Sequence, residues 1–264
     1  MSTVGVVYPA YHPDMDLFTA YLSAVADLLS PAVVRVELDD PRPGTVDALH
    51  DLPFPVEVNA VAARRGKGAA ITAGFEALAP RVDVLAFADA DGSTPADSLA
   101  DVVRPVSAGR ADLAVGSRRH PDAEIVSHQT LARRRLGDGF AWLARRLLDV
   151  ALYDYQCGAK ALSAETWAAV REHLYEPGFA WDIELVSVAD ALDRTVVEVP
   201  VVWEDHPQST VSTLGTTLDL GRALVRSRHR ARSLREDRLH ALIDRSRESG
   251  PSLIERLGAD PVDE

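Results

Sequence analysis

Two carboxylates one residue apart, Asp89 and Asp91, close a stretch that reads as a buried strand. Val82, Val84, Leu85, Ala86, Phe87 and Ala88 form an apolar run of strand length, the pattern of a strand covered on both faces. Gly92 then permits a sharp turn. Thr94 is expected to cap the helix that follows, and Pro95 to open it where a missing N–H costs nothing. Asp89 and Asp91 should therefore emerge at the carboxyl end of a central strand, where open α/β sheets place their ligands. Two hard oxygen donors there suit a divalent cation, Mg2+ or Mn2+, and such an ion neutralises a diphosphate. A plain Asp-Gly turn uses the same residue types, so the pair gains meaning only from its surroundings.

Other segments offer complementary chemistry. Gly66-Lys67-Gly68 opens an expected helix. It is not a P-loop, since the upstream glycine and the Ser/Thr after the lysine are absent. It reads as backbone N–H groups and one cation facing an anion at a helix N-terminus. Asp182 starts a later helix, where it serves either as a general base or as a carboxylate favoured by the helix dipole. Cys157, the only cysteine, reads as a small buried residue and not a nucleophile. It also excludes an intramolecular disulfide or a thiolate zinc cluster and fits a reducing cytoplasm.

The elements that must hold these residues alternate. Strands are expected over 3–10, 33–38, 56–61, 82–88, 112–116 and 195–203, with helices from 14, 45, 64, 95, 131 (to about 150), 163 and 181. Such alternation predicts an α/β fold with a doubly wound, mostly parallel sheet. Beyond Thr213 the chain reads as a charged helical extension in which Leu214, Leu218, Leu224 and Val225 make one narrow apolar face beside a cluster of arginines. Residues 1–212 are thus expected as the main domain and 213–264 as a C-terminal extension.

Composition narrows the function. The 264-residue chain is 47% hydrophobic and carries a net charge of −12. That length supports a sizeable core, and that charge disfavours nucleic acid as a partner. No run is long and apolar enough for a transmembrane segment, and no signal-peptide pattern opens the chain. A cytoplasmic protein, at most peripheral on the cytoplasmic membrane face, is expected. The arginine-rich helix is either a membrane-surface element or a solvated or oligomerising one. No oligomeric state is readable.

Taken in order, these motifs resemble the family 2 glycosyltransferases of the GT-A fold, most closely the dolichyl-phosphate or polyprenyl-phosphate mannosyl- and glucosyltransferases. The marks are Tyr8-Pro9-Ala10-Tyr11, Asp39-Asp40, Gly66-Lys67-Gly68, Asp89-Ala90-Asp91-Gly92-Ser93 and Gly116-Ser117-Arg118. They continue in Asp154-Tyr155-Gln156-Cys157-Gly158-Ala159-Lys160, Trp181-Asp182-Ile183-Glu184-Leu185 and Val199-Pro200-Val201-Val202-Trp203. The resemblance implies an inverting, metal-dependent hexosyltransferase using a GDP- or UDP-hexose and a lipid-phosphate acceptor at a membrane surface. It places Pro9, Ala10, Tyr11, Asp39, Lys67, Asp89 and Ala90 on the nucleotide sugar, and Asp91 on the metal and in catalysis. Arg118 and Arg134 would meet the acceptor phosphate, and Asp154, Gln156, Cys157 and Lys160 would shape the sugar and acceptor side. Asp182 would be the base if the acceptor were a hydroxyl. The chain departs from the family at His12-Pro13-Asp14, at Pro41-Arg42 within Asp39-Asp40-Pro41-Arg42, and at Arg64, all near the nucleotide pocket, which leaves the base open. Two other readings remain. One is a sugar nucleotidyltransferase, opposed by Pro9-Ala10-Tyr11-His12-Pro13 where a glycine-rich loop belongs. The other is a non-catalytic member that binds nucleotide sugar.

Overall fold

A computed structural model describes residues 2–126, 139, 141–204, 213–235 and 250–259, with the helical backbone alone for 213–220. Seven strands form the main sheet: β1 (Val4–Tyr11), β2 (Val33–Asp39), β3 (Val56–Val61), β4 (Val84–Ala88), β5 (Leu113–Ser117), β7 (Ala159–Ser163) and β8 (Val196–Pro200). Their order is β3-β2-β1-β4-β7-β5-β8. All pairs are parallel except those of β7, which runs antiparallel between β4 and β5. A small second sheet pairs β6 (Glu124–Ile125) with β9 (Val202–Trp203) in parallel. The α/β, doubly wound, mostly parallel reading therefore holds, with β7 as its exception.

Period-two alternation sorts the strand side chains into two cores. Val6, Tyr8, Val36, Leu38, Ala86 and Ala88 pack under α1 (Met15–Leu29), α2 (Thr45–His50) and α4 (Ala96–Ser107). Val7, Leu85, Phe87, Leu113, Val115 and Leu162 pack on the other face. That face is covered by α3 (Lys67–Leu78), α5 (141–147), α6 (Ala164–Val170) and α7 (Trp181–Ala191). The last two helices, α8 (Thr213–Leu234) and α9 (Leu253–Ala259), join it through Leu224 and Leu253. Each fully buried side chain of this size contributes roughly 1.5–3 kcal/mol by leaving water. In α1, Asp14 caps the start by accepting from the Leu17 N–H at 3.3 Å, and Phe18, Tyr21, Leu22 and Val25 form the buried stripe.

Three local expectations differ. Pro95, not Thr94, takes the N-cap position of α4, because its extended ψ of 159° precedes the first helical residue. The expected 195–203 strand breaks at Val201, which separates β8 in the main sheet from β9 in the small one. The helix expected over 131–150 ends at 147, and its first part, including Arg133, Arg134 and Arg135, lies outside the described residues. His206 lies outside them as well.

Several arginines of α8, and Arg235 just after it, pair with the rest of the protein. Arg226 pairs with Glu176 at 2.8 Å, Arg230 with the buried Glu184, and Arg235 with Asp149 and Asp190, both at 2.5 Å. Arg228 donates to the Leu147 carbonyl at 2.7 Å. These side chains dock the helix on α7 and α5.

Candidate active site

The carboxyl ends of β1, β2 and β4 and the start of α3 meet at one edge of the sheet. Asp89 follows β4, and its N–H donates to the Gly158 carbonyl at 2.9 Å, which ties the strand end to the start of β7. A Cβ on Gly158 would overlap the Asp89 carboxylate, so only glycine lets the two approach this closely. Two residues on, Asp91 accepts the Ser93 N–H at 3.0 Å and closes the turn in which Gly92 takes a φ of +67°.

Lys67 is the centre of the charge arrangement. Its Nζ lies 2.8 Å from Asp89 Oδ1 and 3.2 Å from Asp182 Oδ2. Lys160 Nζ, fully buried on β7, lies 2.6 Å from Asp182 Oδ1 and donates to the Cys157 carbonyl at 2.9 Å. A chain of alternating charge thus runs Asp89–Lys67–Asp182–Lys160, and Phe87 packs beneath both ammonium groups. Burial works against the charged form of Lys67, but Asp182 and Asp89 outweigh it and hold the ammonium above its ordinary value. Desolvation lifts the Asp89 carboxyl, Lys67 opposes that, and Asp91 adds to it, leaving Asp89 above the ordinary carboxylate value. Burial pushes the Cys157 thiol up to about 11, which agrees with an inert core residue.

Among the expected nucleotide residues, Pro9, Ala10 and Tyr11 end β1, and Asp39 ends β2 beside them. Tyr11 stacks on His12 with centroids 4.1 Å apart and carries the Arg64 guanidinium 4.2 Å above its ring. Tyr11, His12, Arg42 and Thr45 line an open cleft at this edge. Asp39 is almost wholly buried. It accepts the Arg65 and Gly66 N–H groups at 2.8 and 3.0 Å and the Arg65 Nε at 2.8 Å. It therefore fixes the entry to the Gly66-Lys67-Gly68 turn. Ala90 sits half-buried between the two aspartates.

On the other side, Arg118 follows β5 and forks onto Asp154, with Nε–Oδ2 at 2.7 Å and Nη2–Oδ1 at 3.1 Å. Its guanidinium stands 5.7 Å from the Trp203 ring centroid. Burial alone would lift the Asp154 carboxyl, but Arg118 outweighs it and holds the group well below the usual carboxylate range. Gln156 donates its N–H to Asp154 at 3.0 Å and belongs to the same corner.

Among the described residues no three His, Cys, Asp or Glu side chains form a cage. Asp89 and Asp91 offer hard carboxylate oxygens only, which suits a hard dication that completes its shell with diphosphate and water. The residues fit the group.

The part played by Lys160 and Glu184 exceeds what the motifs implied. A signal for Lys160 was present in the composition. Lys67 and Lys160 are the chain's only lysines, all other cations being arginines, and both converge on Asp182.

Residues 36–158 match the family model described as Glycosyl transferase family 2. Glycosyltransferase AglD of Haloferax volcanii is 30% identical over 232 residues, covering 85% of this chain and 36% of that protein. The mouse dolichyl-phosphate beta-glucosyltransferase is 29% identical over 175 residues, covering 64% of this chain and 53% of that protein. The chain thus spans only about a third to a half of these relatives' length. Among solved structures, glucosyl-3-phosphoglycerate synthase from Mycobacterium tuberculosis, in complex with Mn2+, UDP and glucosyl-3-phosphoglycerate, superposes with a TM-score of 0.66. It is 18% identical, and the match covers 86% of this chain and 80% of that one. The matched segment, the ordered motifs and the sheet agree: residues 36–158 of this chain carry a glycosyl transferase family 2 domain, and the sheet has the GT-A fold.

Proposed function

We propose that this chain transfers a hexose from a GDP- or UDP-linked donor to a polyprenyl phosphate, with inversion at the anomeric carbon. The mouse relative's name supports the acceptor, and the Mn2+ and UDP of the solved relative support the donor class and the ion. Pro9, Ala10, Tyr11 and Asp39 would border the nucleoside. Lys67, Asp89 and Ala90 would face the diphosphate sugar, and Asp91 would hold the cation. When bound, a divalent cation there supplies neutralisation of the charge growing on the leaving diphosphate. Lys67 supplies a fixed positive charge beside it, already aimed along the same edge.

The choice of acceptor is carried by one observation. Both oxygens of Asp182 are held by ammonium groups, at 3.2 and 2.6 Å, and the side chain is buried. A carboxylate so committed is a charge partner, with both oxygens already engaged by cations. A phosphate monoester needs no base near neutral pH, since its second pKa is about 6. Its oxygen attacks the anomeric carbon, and the bond to the diphosphate oxygen breaks with its electron pair, leaving a sugar-phospholipid and a nucleoside diphosphate. Arg118, braced by Asp154, and Arg134 would orient that acceptor.

The test is a panel of UDP- and GDP-hexoses with Mn2+, offered polyprenyl phosphate or a sugar hydroxyl. One donor should yield a sugar-phospholipid, and Asp91→Ala should abolish the product at saturating metal. Transfer to the hydroxyl alone, lost in Asp182→Asn, would install Asp182 as base and replace the phosphate reading. Donor binding with no product on either acceptor would leave a non-catalytic binder.

A further inference from the structure

Residues 174–178 form a loop gripped from two sides. From inside, the Ala69 N–H donates to the Pro177 carbonyl at 3.0 Å. A Cβ on Gly66 would come within 2.6 Å of that same carbonyl oxygen, and one on Gly68 within 2.5 Å of the Glu176 oxygen. The turn bearing Lys67 is therefore pressed flat against this loop. From outside, the loop is held by a buried carboxylate and by the C-terminal helices. Glu184 accepts the N–H groups of Tyr175 and Glu176 at 2.7 and 2.8 Å. Its other oxygen takes Arg230 of α8, whose guanidinium also lies 4.1 Å above the Tyr175 ring. Arg226 holds Glu176 at 2.8 Å, Arg256 donates to the Tyr175 carbonyl at 2.5 Å, and the Leu253 N–H donates to the Leu174 carbonyl at 2.8 Å. Glu184 lies two residues beyond Asp182, the residue that receives Lys67 Nζ, in the same first turn of α7.

We infer that Arg230 and Glu184 are positioning residues for the donor site, acting on Lys67 through the 174–178 loop and the first turn of α7. The C-terminal helix thus sets the geometry of the diphosphate-binding lysine. A buried acid that accepts two backbone N–H groups and one guanidinium holds its neighbours in one arrangement only. Loss of Arg230 leaves Glu184 buried without its cation, and the loop and Lys67 lose their common anchor. The inference rests on Lys67 contacting the donor diphosphate.

The experiment is a double-mutant cycle on binding of UDP and GDP with Mn2+, read by calorimetry on the full chain. Its variants are Arg230→Met, Arg230→Lys, Lys67→Met and the double variant. Lys67→Met should weaken the preferred nucleotide by about tenfold, and Arg230→Met by a comparable factor, with Arg230→Lys partly restored. The double variant should bind no worse than Lys67→Met alone. Additive losses would mean that Arg230 acts only on global stability and would overturn the inference. Loss in Lys67→Met with normal binding in Arg230→Met would overturn it while sparing the donor reading. Unchanged binding in Lys67→Met would overturn both. Amide exchange in the nucleotide-free variants is an independent readout. The Ala69 and Glu176 amides should exchange faster in Arg230→Met, and unchanged protection there would also refute the brace. If Arg230→Met does not fold, Arg226→Gln, which releases Glu176 on the same loop, takes its place with the same expectations.

Discussion

At the scale of single residues, the site is built from charges held by other charges. Lys67 and Lys160 share Asp182, and Arg118 forks onto Asp154. Such pairs stabilise little in net terms against apolar replacements, but breaking one partner is expensive because the other stays buried and charged. Asp154→Asn should therefore cost about 3 kcal/mol at neutral pH. The sign of its pH dependence follows from the depressed Asp154 carboxyl. An acid whose folded pKa lies below its unfolded value of about 3.9 adds stability above that pH and loses it as pH falls further. Urea unfolding of wild type and variant across pH 7 to 3 should show the difference nearly constant down to about pH 4 and shrinking below it. A difference that grows on acidification would contradict the pairing. The same variant should raise the acceptor KM more than the donor KM, since Arg118 loses the partner that aims it and Lys67 does not.

At the scale of elements, the parts written in local pattern were legible and the parts set by tertiary contact were not. The β4 run 82–88 and its terminal aspartates follow from hydrophobicity and turn chemistry, and the strand ends at Ala88 with Asp89 and Asp91 beyond it. β7 carries no comparable signal. Residues 159–163 read only as the tail of a motif, because a short strand of alanines, Lys160 and Leu162 lacks β-branched residues. It forms because β4 and β5 leave one strand's width between them. The role of Glu184 was equally hidden, since the residues it holds lie in a loop and on α8. The tight seat of the lysine turn makes a direct test. In Gly68→Ala the new methyl meets the Glu176 oxygen at 2.5 Å and Trp181 Cβ at 2.6 Å. Relieving it should cost about 1–3 kcal/mol and weaken the donor. Gly178→Ala, two residues from Glu176, meets nothing within 4 Å and serves as the control. Thermal melts should separate the two, and equal Tm values would show that the turn yields freely.

At the scale of the molecule, the question is what the residues beyond 212 are for. An arginine-rich helix on an acidic chain invites a surface role, yet Arg226, Arg228, Arg230 and Arg235 spend their donors on Glu176, the Leu147 carbonyl, Glu184, Asp149 and Asp190. Among the described residues no helix is long and apolar enough to cross a membrane. Leu224 and Leu253 complete the core face that also holds Phe75, Trp167 and Trp181. A truncated 1–212 chain would expose that apolar surface and strand Glu184 in it without Arg230. Two buried leucines alone forfeit roughly 3–6 kcal/mol at the usual transfer values. The orphaned carboxylate adds more, against a total stability of about 5–15 kcal/mol for a domain. The 1–212 chain should therefore melt far below the full chain, or lose cooperative unfolding, and Glu184→Leu should recover part of that loss by removing the stranded charge. Calorimetric melts of the three proteins decide it. A 1–212 chain as stable as the parent would make the extension a detachable appendage, and its contacts with α7 incidental to the fold.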